Sequence, residues 1–163
     1  MRRMLATLSV ALLAAPAFAE PTACRLVHTA DVKVALGPVL SVKGEHASGC
    51  AGFCDSADRT VCHFAVDSAT HTTVDVDLSL PSFTTPEADW RRSLSILLRG
   101  DHSVPLREIG GLGDAAFWRF ERSRGYLAVF VAERYHLTII VEGVASEDAA
   151  RAASEALARA AIS

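Results

Sequence analysis

The sequence predicts an α+β fold: an antiparallel sheet in two three-stranded blocks, packed with about three helices and stapled by disulfides. Three observations predict it. Strand-like stretches come in two runs, each followed by a helical pattern, which favours antiparallel pairing over a doubly wound parallel sheet. Four cysteines lie downstream of an N-terminal segment laid out like an export signal. The chain after that segment, residues 20–163, is long enough for one ordinary core and too short for two.

Residues 1–19 have the three parts of a cleavable signal peptide. Arg2 and Arg3 give a positive start, and residues 5–15 form an apolar run of eleven positions interrupted only by Thr7 and Ser9. That run falls short of the about 20 residues needed to span a hydrocarbon core. Ala17-Phe18-Ala19 then offers small residues to a peptidase, placing the cut between Ala19 and Glu20. Residues 20–163 are expected to form a single exported α+β domain, periplasmic or secreted. No later apolar run reaches spanning length, so no membrane span is expected. Removing Arg2 and Arg3 leaves 14 basic against 19 acidic side chains, a formal charge of −5. With arginines interleaved among acids, as in Arg119-Phe120-Glu121-Arg122, a nucleic-acid partner is excluded as an expectation.

The elements follow in order. Thr29 caps a short helix through Asp31, Val32 and Leu36, which Gly37 and Pro38 end. A first strand covers 39–42, and 43–59 reads as a polar, glycine-containing loop holding two cysteines. Residues 60–66 make the second strand. Residues 72–80 make the third, where Val74, Val76, Leu78 and Leu80 alternate with Asp75, Asp77 and Ser79, the period of a strand with one buried face and its acids in solvent. The spacing then predicts a helix over 84–99: a threonine cap, Pro86 in its first turn, an apolar stripe of Trp90, Leu94, Leu97 and Leu98, and Gly100 at its end. Strands at 115–121, 126–132 and 135–141 form an antiparallel meander joined by short turns. Ser146 caps a last, alanine-rich helix from Glu147 to about Ala160.

Cys24, Cys50, Cys54 and Cys62 allow three pairings into two disulfides. Only Ala51-Gly52-Phe53 separate Cys50 from Cys54, in a loop rich in glycine and small residues that suits a tight local bridge, which would leave Cys24 to join Cys62. A metal alternative uses His46, Cys50, Cys54, Cys62 and His63 to bind copper or zinc, but their spacing lacks the paired C-x2-C of zinc ribbons, and Gly44, Gly49 and Gly52 argue against a helix that would align them.

Particular residues are familiar in combination. Cys24-Arg25-Leu26-Val27, then Thr29-Ala30-Asp31-Val32 and Ala35-Leu36-Gly37, then Cys62-His63-Phe64 and Gly111-Leu112-Gly113-Asp114-Ala115-Ala116, resemble a broad group of small exported bacterial domains of unknown function. Many of the group's better-known members are actinobacterial lipoproteins. The similarity spans most of residues 20–163. It implies an α/β sandwich on a central antiparallel sheet, like that of PsbP-type proteins, and it implies a Cys24 to Cys62 pairing. This chain departs from the group by carrying Cys50 and Cys54 and by lacking a lipid-attachment cysteine, which puts a tethered role in doubt. The resemblance brings no catalytic residues.

The candidate chemistry is sparse. Gly110-Gly111-Leu112-Gly113-Asp114 is the one glycine-rich loop, and since a strand rather than a helix follows it, a turn needing positive φ is the expectation over a phosphate cradle. The histidines at 28, 46, 63, 71, 102 and 136 are dispersed, and no nucleophile, zinc-protease or P-loop motif is present. Aromatics concentrate in the second strand block, where alternation sets Phe117 and Trp118 on opposite faces. The candidate binding surface is Trp118, Arg119, Arg122, Arg124 and Tyr126, facing a protein, small-molecule or glycan ligand. The leading expectation is a non-catalytic binding or interaction module without a cofactor. The alternatives are the metal-binding protein above and an enzyme with a dispersed active site.

Overall fold

A computed structural model describes residues 22–46, 59–79, 106–131 and 134–163. The helix expected at 84–99, Cys50, Cys54, His102 and the leader lie outside the described residues. The described elements, in chain order, are α1 (Ala23–Leu26), α2 (Thr29–Leu36), β1 (Val39–His46), β2 (Arg59–Val66), β3 (Thr73–Ser79), β4 (Arg107–Glu108), β5 (Ala115–Glu121), β6 (Arg124–Val131), β7 (Tyr135–Glu142) and α3 (Glu147–Ile162). All seven strands pair antiparallel in one sheet, in the order β1-β2-β3-β7-β6-β5-β4. The α+β class is therefore present as a single continuous sheet with helices against it, and β4 is a two-residue strand that the sequence does not suggest.

The period of two decides which residues enter the core. Cys62, Phe64 and Val66 of β2, Val74, Val76 and Leu78 of β3, and Leu137, Ile139 and Val141 of β7 are buried on one face, together with Leu127 and Val129 of β6 and Ala116 and Trp118 of β5. Helix α3 covers β6 and β7 on that face. Its buried stripe of Ala150, Ala153, Ser154, Leu157, Ala158 and Ala161 follows the helical period, and its small residues let the backbone approach the strands. Ser146 caps it as expected, its hydroxyl accepting from the Ala149 N–H at 3.2 Å. The Tyr135 hydroxyl donates to the Ala161 carbonyl at 3.1 Å, fixing the far end of the helix to β7.

Three local expectations shift. Helix α2 begins at Thr29, so His28 takes the cap position and the Asp31 carboxylate accepts from the His28 N–H at 2.8 Å. Strand β1 runs on to His46 rather than ending at residue 42, because its whole length pairs with β2. Gly44 sits opposite Cys62 in that pairing, and a Cβ there would lie 2.8 Å from the Cys24 sulfur, so the glycine makes room for the disulfide. The acids of β3 are half-buried rather than bathed in solvent, and each is paired across the strand: Asp75 with His63, Asp77 with Arg59.

Cys24 and Cys62 form a disulfide across 38 positions of sequence, tying α1 to the second strand. The same junction is fastened by the Ala23 N–H donating to the Thr60 hydroxyl at 2.9 Å. The glycine-rich turn behaves as expected, with φ of 78° at Gly111 and 58° at Gly113. At Gly113 a side chain is excluded twice over, since a Cβ would also lie 2.4 Å from the Phe130 carbonyl oxygen.

Candidate functional site

The candidate surface divides between the two faces of the sheet. Trp118 has 0% exposure and belongs to the main core. Its indole N–H donates to Glu147 Oε1 at 3.1 Å, and Arg107 Nη1 meets the same oxygen at 3.0 Å, so the ring closes the seam between β5 and the start of α3. Trp118 is therefore corrected from a binding residue to a core residue. Its neighbour Arg119 points to the other face but is 4% exposed, with its guanidinium 2.6 Å from Glu121 Oε2. A buried arginine already paired to a carboxylate offers little surface to a partner, so Arg119 also leaves the candidate list, as a support. Nearby, Ala115, Phe117 and Ala128 bury together with Phe130 packed on them, as a second, smaller apolar cluster.

Arg122, Arg124 and Tyr126 stay together. They come from the tight hairpin between β5 and β6, where Glu121 pairs with Arg124 across a two-residue turn of Arg122 and Ser123. Both turn residues have positive φ, 49° and 66°, the type I′ conformation that matches strand twist and is normally filled by Asn and Gly. Across the next strand Arg124 pairs with Glu142. One rung of the sheet thus reads Glu142, Arg124, Glu121, and the next reads Ile140, Tyr126, Arg119. These two rungs and the turn enclose an open cleft of about 400 Å³ lined by Glu121, Arg122, Arg124, Tyr126 and Glu142. Gly143, just past β7, donates its N–H to the Ser123 carbonyl at 3.2 Å and holds the turn over the strand ends.

Electrostatically the cleft is nearly closed on itself. Arg124 donates through Nε to Glu142 Oε2 at 2.9 Å, and through Nη1 to the Tyr126 hydroxyl at 3.3 Å. The hydrogen bond to Tyr126, and then that to Glu142, hold its guanidinium above the ordinary arginine range. Glu121 gives one oxygen to Arg119, and its other oxygen lies 3.8 Å from Arg122 Nε. Arg122 has an 88% exposed side chain, against 43% for Arg124, and makes no closer ion pair among the described residues. Glu121 and Glu142 are members of this site that sequence reasoning missed. Eighteen positions separate Arg124 from Glu142, and only the strand register brings them together.

A second polar group lies on the same face at the opposite side of the sheet. His63 Nδ1 is 2.8 Å from Asp75, His63 Nε2 is 3.4 Å from Glu45, and Lys43 is 3.2 Å from Glu45. The Asp75 hydrogen bond raises the His63 pKa above its ordinary value, against a smaller opposing effect of burial. The Lys43 hydrogen bond, followed by that of His63, lowers the Glu45 pKa. This is a cross-strand charge ladder on mostly exposed edges. It shares His63 with the metal alternative, where His63 is engaged by Asp75 and Glu45, and the adjacent Cys62 has its sulfur in the disulfide and is not a thiolate ligand. Among the described residues no three of His, Cys, Asp and Glu are grouped to hold a metal ion. His63 and Cys62 are neighbours in sequence on opposite faces of β2, and Cys50 and Cys54 are outside the described residues. His136 lies against Phe130, with ring centroids 4.9 Å apart and planes tilted by 47°, and burial pushes its pKa down to about 4.

No protein-family model matches the chain, and no curated protein matches it in sequence. Among solved structures, a GTP-binding regulator from Thermotoga maritima is similar at a TM-score of 0.41 and 12% identity, covering 75% of this chain and 78% of that one.

Proposed function

We propose that this chain is an exported, non-catalytic binding module whose recognition site is the cleft of Arg122, Arg124 and Tyr126 at the strand ends of β5, β6 and β7. The observation that carries the reading is the Arg122-Ser123 turn. Holding a non-glycine residue at positive φ costs on the order of 1 kcal/mol, and here that conformation presents an exposed guanidinium at the rim of a cleft whose floor is a locked Arg124, Tyr126 and Glu142 network. Strain of this kind gathers where a side chain has a task other than stability. In this reading the two strand blocks divide the work, the first carrying the Cys24–Cys62 staple and the second carrying the site.

Export is the companion proposal, with the leader cut between Ala19 and Glu20 and the domain acting in the periplasm or outside the cell. It is supported by the layout of residues 1–19, by the disulfide, which oxidising compartments preserve, and by the absence among the described residues of a helix long and apolar enough to cross a membrane. The likeness of its motifs to the small exported bacterial domains belongs to the same proposal. Intact mass of the protein recovered from outside the cytoplasm is expected to begin at Glu20, with Cys24 and Cys62 resistant to alkylation.

The binding reading is tested by nitrogen-15 spectra of the oxidised protein, titrated with a broad panel of sugars, amino acids, peptides and organic acids. Saturable shifts clustered at residues 121–126 and 142–143, with no panel member chemically changed, support it. Turnover of any panel member that is lost on replacing a cleft residue would sink the non-catalytic reading.

A further inference from the structure

The two ends of the described sheet are unlike. Strand β4 finishes one end with two residues, too short to recruit another strand. The other end is β1, eight residues from Val39 to His46, paired on one side to β2. The devices that usually guard an edge are sparse there. The strand contains no proline, and its register with β2 shifts only at its start, between Val39 and Ser41. Apolar side chains gather at this edge instead. Of the four large hydrophobic residues exposed among the described residues, three lie here: Leu40 at 68% and Val42 at 44% on β1, and Val34 at 89% on α2, the helix packed beside it. Lysine commonly protects an edge by its charge, but Lys43 is answered by Glu45 at 3.2 Å on the same face of the strand. The edge is therefore long, partly apolar and balanced in charge.

We propose that β1 pairs antiparallel with β1 of a second copy of this chain, about a twofold axis at Gly44, joining the two sheets into one. The backbone groups on the outer side of β1, which meet no described strand, supply the hydrogen bonds. The charges select the register. A twofold normal to the sheet at Gly44 sets Lys43 of each copy opposite Glu45 of the other, so one strand sequence provides two cross-strand pairs of opposite charge. An axis at Lys43 would set lysine against lysine, and an axis at Glu45 would set acid against acid. An axis at Val42 would put Lys43 opposite Ser41 and Glu45 opposite Val39, with no charge pair at all. In the Gly44 register no side chain stands at the axis, and Val42 of each copy lies diagonal to the other's Gly44, which leaves room for it. The register from Val42 to His46 is short, so the dimer is a concentration-dependent equilibrium rather than an obligate assembly. Because the axis is normal to the sheet, both copies turn the same face to the same side. On the binding-module reading the dimer thus presents two clefts in one direction.

The test is sedimentation equilibrium of the oxidised protein from micromolar to millimolar concentration. The mass is expected to climb from that of one chain toward that of two. Lys43→Glu and Glu45→Lys each place two like-charge pairs across the axis, and each is expected to weaken the dimer at least about tenfold. Both side chains are exposed, so the circular dichroism of either variant should match the parent. Mixed one to one, the two variants are expected to recover dimer, because an acidic strand then meets a basic one. The double variant, with the charges exchanged, should recover it alone. A contact within one chain cannot produce recovery on mixing. A protein that stays monomeric throughout overturns the inference. So does a dimer indifferent to both substitutions, or one that mixing fails to restore, since the contact then lies elsewhere. None of these results touches the cleft, whose ligand titration is read separately.

Discussion

Replacing Gly125 by alanine should destabilise the protein through a single atom. Gly125 is buried on β6, diagonal to Trp118 on β5, and the indole lies across it: a Cβ built there would be 2.3 Å from Trp118 Cη2 and 3.1 Å from both Cζ2 and Cζ3. The ring cannot retreat. It is fully buried, and its N–H is anchored on Glu147, the first residue of α3, which also receives Arg107. Overpacking a core by a methyl group costs about 1–3 kcal/mol, and an immobile ring puts this case at the upper end. Against that, alanine narrows the unfolded ensemble and returns about 0.7 kcal/mol. The net expectation is a loss of about 2 kcal/mol, or a fall of roughly 4–8 °C in Tm for a chain of this size. Urea denaturation followed by circular dichroism measures it. The decisive control is the double-mutant cycle with Trp118→Leu, a residue that leaves space over position 125. In that background Gly125→Ala should cost less than about 0.5 kcal/mol, giving a coupling of about 1.5 kcal/mol or more. An equal cost in both backgrounds would refute the steric account and point to the backbone of β6 instead.

Other consequences follow from the same geometry. Replacing Cys24 and Cys62 together by serine releases a loop of 38 positions and should remove about 4 kcal/mol of stability on the loop-entropy model, seen as a drop in Tm that reductant reproduces in the parent protein; melting indifferent to reductant would contradict it. Arg122→Asn combined with Ser123→Gly restores the residues a type I′ turn prefers, so stability should rise by about 1 kcal/mol in urea melts while ligand-induced shifts at the cleft are lost. The two described, perturbed histidines should tilt stability with pH in opposite senses. His136, held down to about 4 by burial, contributes stability that is complete above about pH 6.5 and is lost as pH falls toward 4, worth roughly 1–2 kcal/mol once its partial exposure is allowed for. His63, raised by Asp75, contributes stability that is complete below about pH 6.5 and is lost as pH rises through its folded value. Unfolding free energies measured from pH 4 to pH 8 should therefore lose their acid-side fall in His136→Gln and their alkaline-side fall in His63→Gln.

Local rules were enough for much of the frame. The alternation in β3, the Ser146 cap with its acidic first turn, and the Gly-Leu-Gly turn before β5 depend on residues a few positions apart, and each appears in the structure where the sequence puts it. Edge behaviour was harder to read. The chain from Lys43 to His46 looks like a polar loop because β1 lies at the edge of the sheet, where exposed, charged side chains alternate without an apolar partner face. The two residues of β4 carry no periodic signal at all.

The candidate site divides along the same line. Sequence alone determined that aromatic and basic residues gather around the β5–β6 hairpin and that Phe117 and Trp118 must point apart, since strand geometry sends successive side chains to opposite faces. Only the tertiary structure decided which face faces solvent. It placed Trp118 under α3 and Arg119 beneath the surface, and left Arg122, Arg124 and Tyr126 at the cleft. It also supplied Glu142, whose meeting with Arg124 depends on the register of β6 against β7. Burial and register are sums over every strand and helix at once, and a side chain's own neighbours in sequence do not contain them.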